Sequence, residues 1–191
     1  MTAFVPMSDE MRGFLRSIKQ EPEDETLRLI FADWLEERGD LRGTLMRAQC
    51  ERAALNQGDF QAKALNQTIE SLTRRLREWL GSSFDPSASW TVEQGLLQIE
   101  IRCDDAFRKQ FQRLNQVDGL WEWADSLTMR DGLRQDEIQA LTSGDSLTQL
   151  CSFRAWCSEL NDVGAVALSK APWLEHLREL SNLRYHRLGG T

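Results

Sequence analysis

The stretch whose reading decides the fold is PEDETLRLIFADWLEERGD, Pro22 to Asp40. Leu27, Ile30, Phe31, Trp34 and Leu35 recur at i, i+3, i+4, i+7 and i+8, which puts all five on one stripe of an α-helix. A stripe of that kind has to be buried. Pro22 reads as part of the first turn, where a missing N–H is tolerated, and Glu23, Asp24 and Glu25 lie against the positive end of the helix dipole. Arg38 and Gly39 close the other end. The stretch Glu21 to Asp40 also holds eight acids and two bases, a balance of −6 in a chain whose formal net charge is −7. The acidity is therefore local. It argues against a partner recognised through a dense phosphate-neutralising surface, so direct nucleic-acid binding is not expected.

Working outward, Ser8 is placed to cap a helix carrying Met11, Phe14, Leu15 and Ile18, which the residues before Pro22 bring to an end. After the acidic helix, Leu41, Leu45, Ala48 and Leu55 predict a third helix ending at Gln57-Gly58. Leu65, Ile69, Leu72, Leu76 and Trp79 predict a fourth, from near Asp59 to Gly81. Steps of three and four suit helices packed nearly antiparallel, so residues 1–81 read as a four-helix bundle domain. Residues 82–119 open with a turn-forming linker. Leu97, Ile99 and Ile101 then alternate with Gln98, Glu100 and Arg102 as a half-buried strand, and Asp104 and Asp105 are placed to cap a helix bearing Phe107, Phe111 and Leu114 on one face.

From residue 120 to 191 the chain repeats itself. Leu133, Ala140, Leu141, Leu147 and Leu150 recur as Leu160, Ala167, Leu168, Leu174 and Leu177, each 27 residues on. With Phe153, Ala155, Ser158 and Leu160 in a leucine-rich pattern, and Leu183, His186 and Leu188 in a truncated third unit, this reads as a degenerate leucine-rich repeat of the strand-plus-helix type. The predicted fold class is α+β: an N-terminal four-helix bundle capping a short αβ leucine-rich-repeat solenoid.

Little in the sequence points to catalysis. Asp33, Glu36 and Glu37 stand on the helix side opposite the apolar stripe, with Asp33 at its border, and no histidine lies near them in sequence. Asp33 is read as structural, accepting from the next helix's first N–H groups or pairing with an arginine. Neither a GxSxG elbow nor a glycine-rich phosphate loop occurs, and no cofactor is implied. Cys50, Cys103, Cys151 and Cys157 are scattered and only two histidines are present, so no metal site is expected, and Cys50 and Cys103 read as buried small apolar residues. No stretch approaches the roughly 20 apolar residues needed to cross a bilayer, so the expected setting is the cytoplasm, away from membranes.

The residues TLRLIFADWLEERGDLRGTLMRAQCERAAL (26–55), REWLGSSFDPSASWTVEQGLLQIEI (77–101) and LNDVGAVALSKAPWLEHLREL (160–180) resemble three parts of the planctomycete-type repeat-companion domain proteins. These are the signature helix, the connector and the degenerate leucine-rich repeats. Trp90 to Leu96 lacks the arginine and aromatic usual in that connector. The resemblance implies a helical cap on an interaction array and no enzymatic activity. The expected function is a non-enzymatic protein-binding or scaffold module, an accessory subunit of a larger complex. Strand alternation places Thr128, Arg130, Arg154, Trp156 and Arg184 on one exposed face, and an Arg- and Trp-rich patch is the composition of an interface centre. The alternative is a regulatory subunit of a neighbouring enzyme or nucleoprotein assembly, engaging a basic surface through Glu36 and Glu37.

Overall fold

A computed structural model describes residues 4–56, 59–81, 83–84, 86–131, 133–143, 146–156 and 162–182. The chain is α+β and divides into two compact units, Met1–Ser83 with Thr91–Leu97, and Phe84–Trp90 with Gln98–Thr191.

The first unit holds α1 (Asp9–Gln20), α2 (Glu25–Glu37), α3 (Leu41–Ala54) and α4 (Phe60–Leu80), with α2 packed on α1 and α3, and α3 on α4. Ser8 caps α1, its hydroxyl accepting from the Met11 N–H at 3.1 Å. Asp24 caps α2, accepting from the N–H groups of Thr26 and Leu27 at 2.8 and 3.4 Å. Pro22 consequently lies outside the helix, in the turn before it, and not in the first helical turn that the sequence suggested. A side-chain cap satisfies two orphan N–H groups, whereas proline only avoids adding one, so the start moves to Asp24.

The buried face of α2 is also rotated from the predicted stripe. Phe31, Ala32 and Leu35 are buried, Leu27 and Trp34 are half-buried, and Ile30 is 49% exposed. Arg28 is buried where apolar spacing alone would not place it. The cause is the close approach of α3: a Cβ on Gly43 would stand 2.5 Å from the Ala32 carbonyl oxygen and 2.9 Å from the Leu35 Cβ. Contact at that distance centres the buried face on Arg28, Phe31, Ala32 and Leu35, again at i, i+3, i+4 and i+7. Trp79, expected among the apolar positions of α4, is 37% exposed and stacks on Phe4 with ring centroids 4.0 Å apart.

Asp40 and Arg42 form a buried ion pair at the start of α3. The Arg42 Nη2 donates to Asp40 Oδ2 at 2.6 Å and Nε donates to Oδ1 at 3.0 Å. The same two side chains hold the N-terminal segment, because the Val5 N–H donates to Asp40 at 2.8 Å and Arg42 donates to the Val5 carbonyl at 2.8 Å. Neither role was readable from the sequence, where Asp40 was one more acid in an acidic run.

A hairpin follows, β1 (Ala88–Glu93) and β2 (Leu96–Arg102). Its turn residues Gln94 and Gly95 have φ of 48° and 83°, the two positive values of the tight turn that matches strand twist. Gly95 is required twice over, since a Cβ there would stand 2.3 Å from the Met46 Cε. Gln49 of α3 fastens the turn, donating to the Val92 carbonyl and accepting from the Gly95 N–H at 2.8 Å. The sequence reading found β2 and missed β1. Trp90 and Val92 face inward between exposed Ser89, Thr91 and Glu93, too few apolar residues for the alternation to stand out.

The second unit continues with α5 (Phe107–Leu114), α6 (Leu120–Trp123), β3 (Ala124–Arg130), α7 (Gln135–Thr142), β4 (Ser152–Ala155), α8 (Asp162–Leu168), a short 3-10 helix (Pro172–His176) and β5 (Glu179–Asn182). Asp104 does not cap α5 directly; its carboxylate accepts from the Ala106 N–H at 2.8 Å, one turn before the helix. The sheet runs β1-β2-β3-β4-β5. β3, β4 and β5 are parallel, with Leu127 opposite Phe153 and Phe153 opposite Leu180. Parallel neighbours need a crossover, and α7 and α8 supply it. The second strand spacing matches the 27-residue period read from the sequence, while the first is one residue shorter. Leu127, Met129 and Phe153 point into the core, where Trp173 lies against Phe153 with centroids 5.0 Å apart and donates its indole N–H to the Leu141 carbonyl at 2.9 Å.

Candidate docking face of the sheet

The face of the sheet opposite that core carries three cross-strand rows. The first joins Gln98, Ser126, Ser152 and Glu179. The Ser126 hydroxyl bonds Gln98, and the Ser152 hydroxyl donates to Glu179 at 3.2 Å. Ser126 and Ser152 are buried and form the floor of the face, while Glu179 at the end of the row is exposed. The second row holds Thr128, Arg154 and Ser181, and in the third Arg130 lies against Trp156, with Glu100 and Arg102 of β2 reaching Arg130 and Asp131. The side-chain contacts of β2 and β3 rise together along both strands, from Gln98 and Ser126 to Arg102 and Asp131, the pattern of a parallel pair.

Ion pairs order this face. Arg130 meets Glu100 at 3.1 Å, Arg102 meets Asp131 at 3.6 Å, and Arg154 grips Glu179 through Nε at 3.1 Å and Nη2 at 2.8 Å. The Arg154 hydrogen bond holds the Glu179 carboxyl below the usual carboxylate range, partly opposed by burial. The Arg130 guanidinium lies over the Trp156 ring, 4.9 Å from its centroid. Arg130, Arg154 and Trp156 are each half-exposed, so each offers contact area while paired or stacked within the face.

The structure thus brings together three of the residues singled out from the sequence: Arg130, Arg154 and Trp156. Arg184 lies outside the described residues. In the observed register it is Ser181 that stands opposite Arg154. Glu100 and Glu179, which set the arginines' positions, were missed. Glu100 was read only as an outward strand residue, and Glu179 falls in the repeat whose register was hardest to follow.

The acidic helix is organised differently. Arg47 of α3 reaches both Asp33 and Glu36, the latter at 3.2 Å. Glu36 holds the Arg47 guanidinium pKa up, against the opposing effect of burial, with Asp33 adding to it. Asp33 therefore takes the arginine-pairing role of the two expected for it. Asp40, not Asp33, caps α3. Glu36 is committed within the fold. Glu37 remains largely exposed, 3.7 Å from Arg38.

Among the described residues, no cluster of three or more His, Cys, Asp and Glu side chains is placed to hold a metal ion, and no helix is long and apolar enough to cross a membrane. Cys50, Cys103 and Cys151 are buried. No family model, curated protein or solved structure matches the chain.

Proposed function

We propose that this chain is a non-enzymatic protein-binding module, an accessory subunit of a larger cytoplasmic complex, and that its partner is another protein docking on the outer sheet face. The observation that carries the reading is the Arg130–Trp156 stack beside the Arg154–Glu179 fork. Tryptophan and arginine are the side chains most often found at the energetic centre of interfaces. Here the arginines are ion-paired and the tryptophan is stacked before binding, an arrangement that lowers the entropy lost on association. The face also carries equal numbers of acids and bases in its three ion pairs, a composition suited to a mixed protein surface and unsuited to a phosphate backbone.

The parallel β3-β4-β5 order with its 26- and 27-residue spacing supports reading the second unit as a short leucine-rich-repeat array. That arrangement accords with the resemblance to repeat-companion domain proteins. The alternative, docking of a basic surface on the acidic helix, retains Glu37 but loses Glu36 to Arg47. We favour the sheet face for that reason.

The test is affinity capture from the native cell with the tagged wild type and an Arg130→Ala/Trp156→Ala variant. The variant is expected to lose the partner while its thermal midpoint stays within a few degrees. A Glu37→Lys variant is expected to retain it. The opposite pattern would transfer the assignment to the acidic helix.

A further inference from the structure

We infer that the first unit carries a pocket for a zwitterionic group, a carboxylate carried beside a cation, as on a free basic amino acid or the last residue of a chain ending in lysine or arginine. Two arginines of this unit are buried to the same degree, Arg28 and Arg42, each 6% exposed. Arg42 has its counter-charge in Asp40. Arg28 has none among the described residues: its Nη1 donates to the Asp24 carbonyl at 3.3 Å, and its Nε is shut off from solvent with no acceptor. A buried guanidinium without an anion or a full set of acceptors is strongly unfavourable.

Arg28 lines a cavity of about 300 Å³ together with Glu23, Glu25, Cys50, Ala53 and Gln94. That volume holds about ten water-sized groups, the size of one small polar molecule or one terminal residue. A carboxylate entering it would bring Arg28 the nearby counter-charge that Asp40 brings Arg42, without reaching the enclosed Nε. A bare anion is nonetheless a poor match. Exposed Glu23 and Glu25 stand beside the same cavity, and Ala53 belongs to the last turn of α3, where unpaired carbonyls give the helix a negative end. Arg28, in the first turn of α2, is the positive group of the cavity, and Glu23 and Glu25 at the same end of α2, with the carbonyl end of α3, are its negative groups. The Cys50 thiol registers both, pushed up by burial first and then by Glu25, while Arg28 pulls it down. A ligand of opposed charges satisfies both kinds of group, and inorganic phosphate satisfies one.

The experiment titrates the full chain with L-arginine, L-arginine amide and inorganic phosphate by calorimetry, and follows the Arg28 Nε–H resonance by NMR. L-Arginine is expected to bind and to shift that resonance. The amide, lacking the carboxylate, is expected to bind at least about tenfold more weakly, as loss of a charge partner to a buried guanidinium implies. Arg28→Gln is expected to remove the preference for L-arginine over its amide. Equal binding of acid and amide, tighter binding of phosphate, or an unmoved Arg28 resonance in the wild type would each overturn the inference, and the last does not depend on any variant folding. A short peptide ending in lysine with a free carboxylate, set against its amide, identifies the source: tighter binding than the free amino acid points to a chain terminus, and weaker binding to a small molecule.

Discussion

Asp40 illustrates how much one buried residue carries. It caps α3, pairs with Arg42 and holds the Val5 N–H. Asp40→Ala takes the Asp40 carboxylate away from buried Arg42, and the expected cost is about 3–5 kcal/mol in urea unfolding. A loss below about 1 kcal/mol would show that the pair is not the anchor described. Glu137 makes a different prediction. It is 2% exposed, and burial pushes its carboxyl pKa up, against the lowering effects of the Arg134 N–H and the Arg134 charge. An acid whose folded pKa is raised contributes stability that is fully present below its unfolded pKa and is lost as pH rises through the folded value. Glu137→Gln removes that loss while an amide oxygen can still accept from the Arg134 N–H. Relative to the wild type, the variant is therefore expected to gain between about pH 4, the ordinary carboxylate range, and pH 7. Unfolding midpoints at the two values check the sign, and a difference independent of pH contradicts it.

At the scale of elements, the helices were legible because their signals are local. Ser8, the acids before Thr26, Gly39 and Gly81 mark ends, and apolar spacing marks faces. What sequence could not supply was the rotation of α2, which depends on how near α3 comes at Gly43. The rotated face predicts that Ile30→Gln changes stability by no more than about 0.5 kcal/mol, as for an ordinary surface site, whereas Phe31→Ala costs about 3–5 kcal/mol. The original stripe would make the two comparable, so chemical denaturation of the pair separates them. Gly43→Ala is expected to cost about 1–3 kcal/mol by forcing α2 and α3 apart. β1 escaped notice because only Trp90 and Val92 face inward, and its turn is Gln-Gly, without the Asn or Asp that usually announces a hairpin. On the candidate face, alternation sufficed to place Arg130, Arg154 and Trp156 together. The glutamates that fix the arginines come from β2 and β5, and finding them requires the strand order and register, which lie beyond local pattern.

At the scale of the molecule, the account rests on the two faces of the sheet having different roles. The inner face is apolar and closed by α7 and Trp173, and the outer face is polar, ion-paired and half-exposed. At β5 the inner face loses its cover: Leu180, opposite fully buried Phe153, is 64% exposed. The outer face continues through Glu179 and Ser181, so a partner spanning β3 to β5 meets an unbroken polar surface. The most direct test of the docking claim places a photo-crosslinking amino acid at Thr128, on the outer face opposite Arg154, and separately at exposed Gln139 on α7. Irradiation in the native cell is expected to give a discrete crosslinked protein from position 128 and none from position 139. Crosslinking from 139 alone, or from neither position while the wild type still captures a partner, would contradict the assignment of the sheet face.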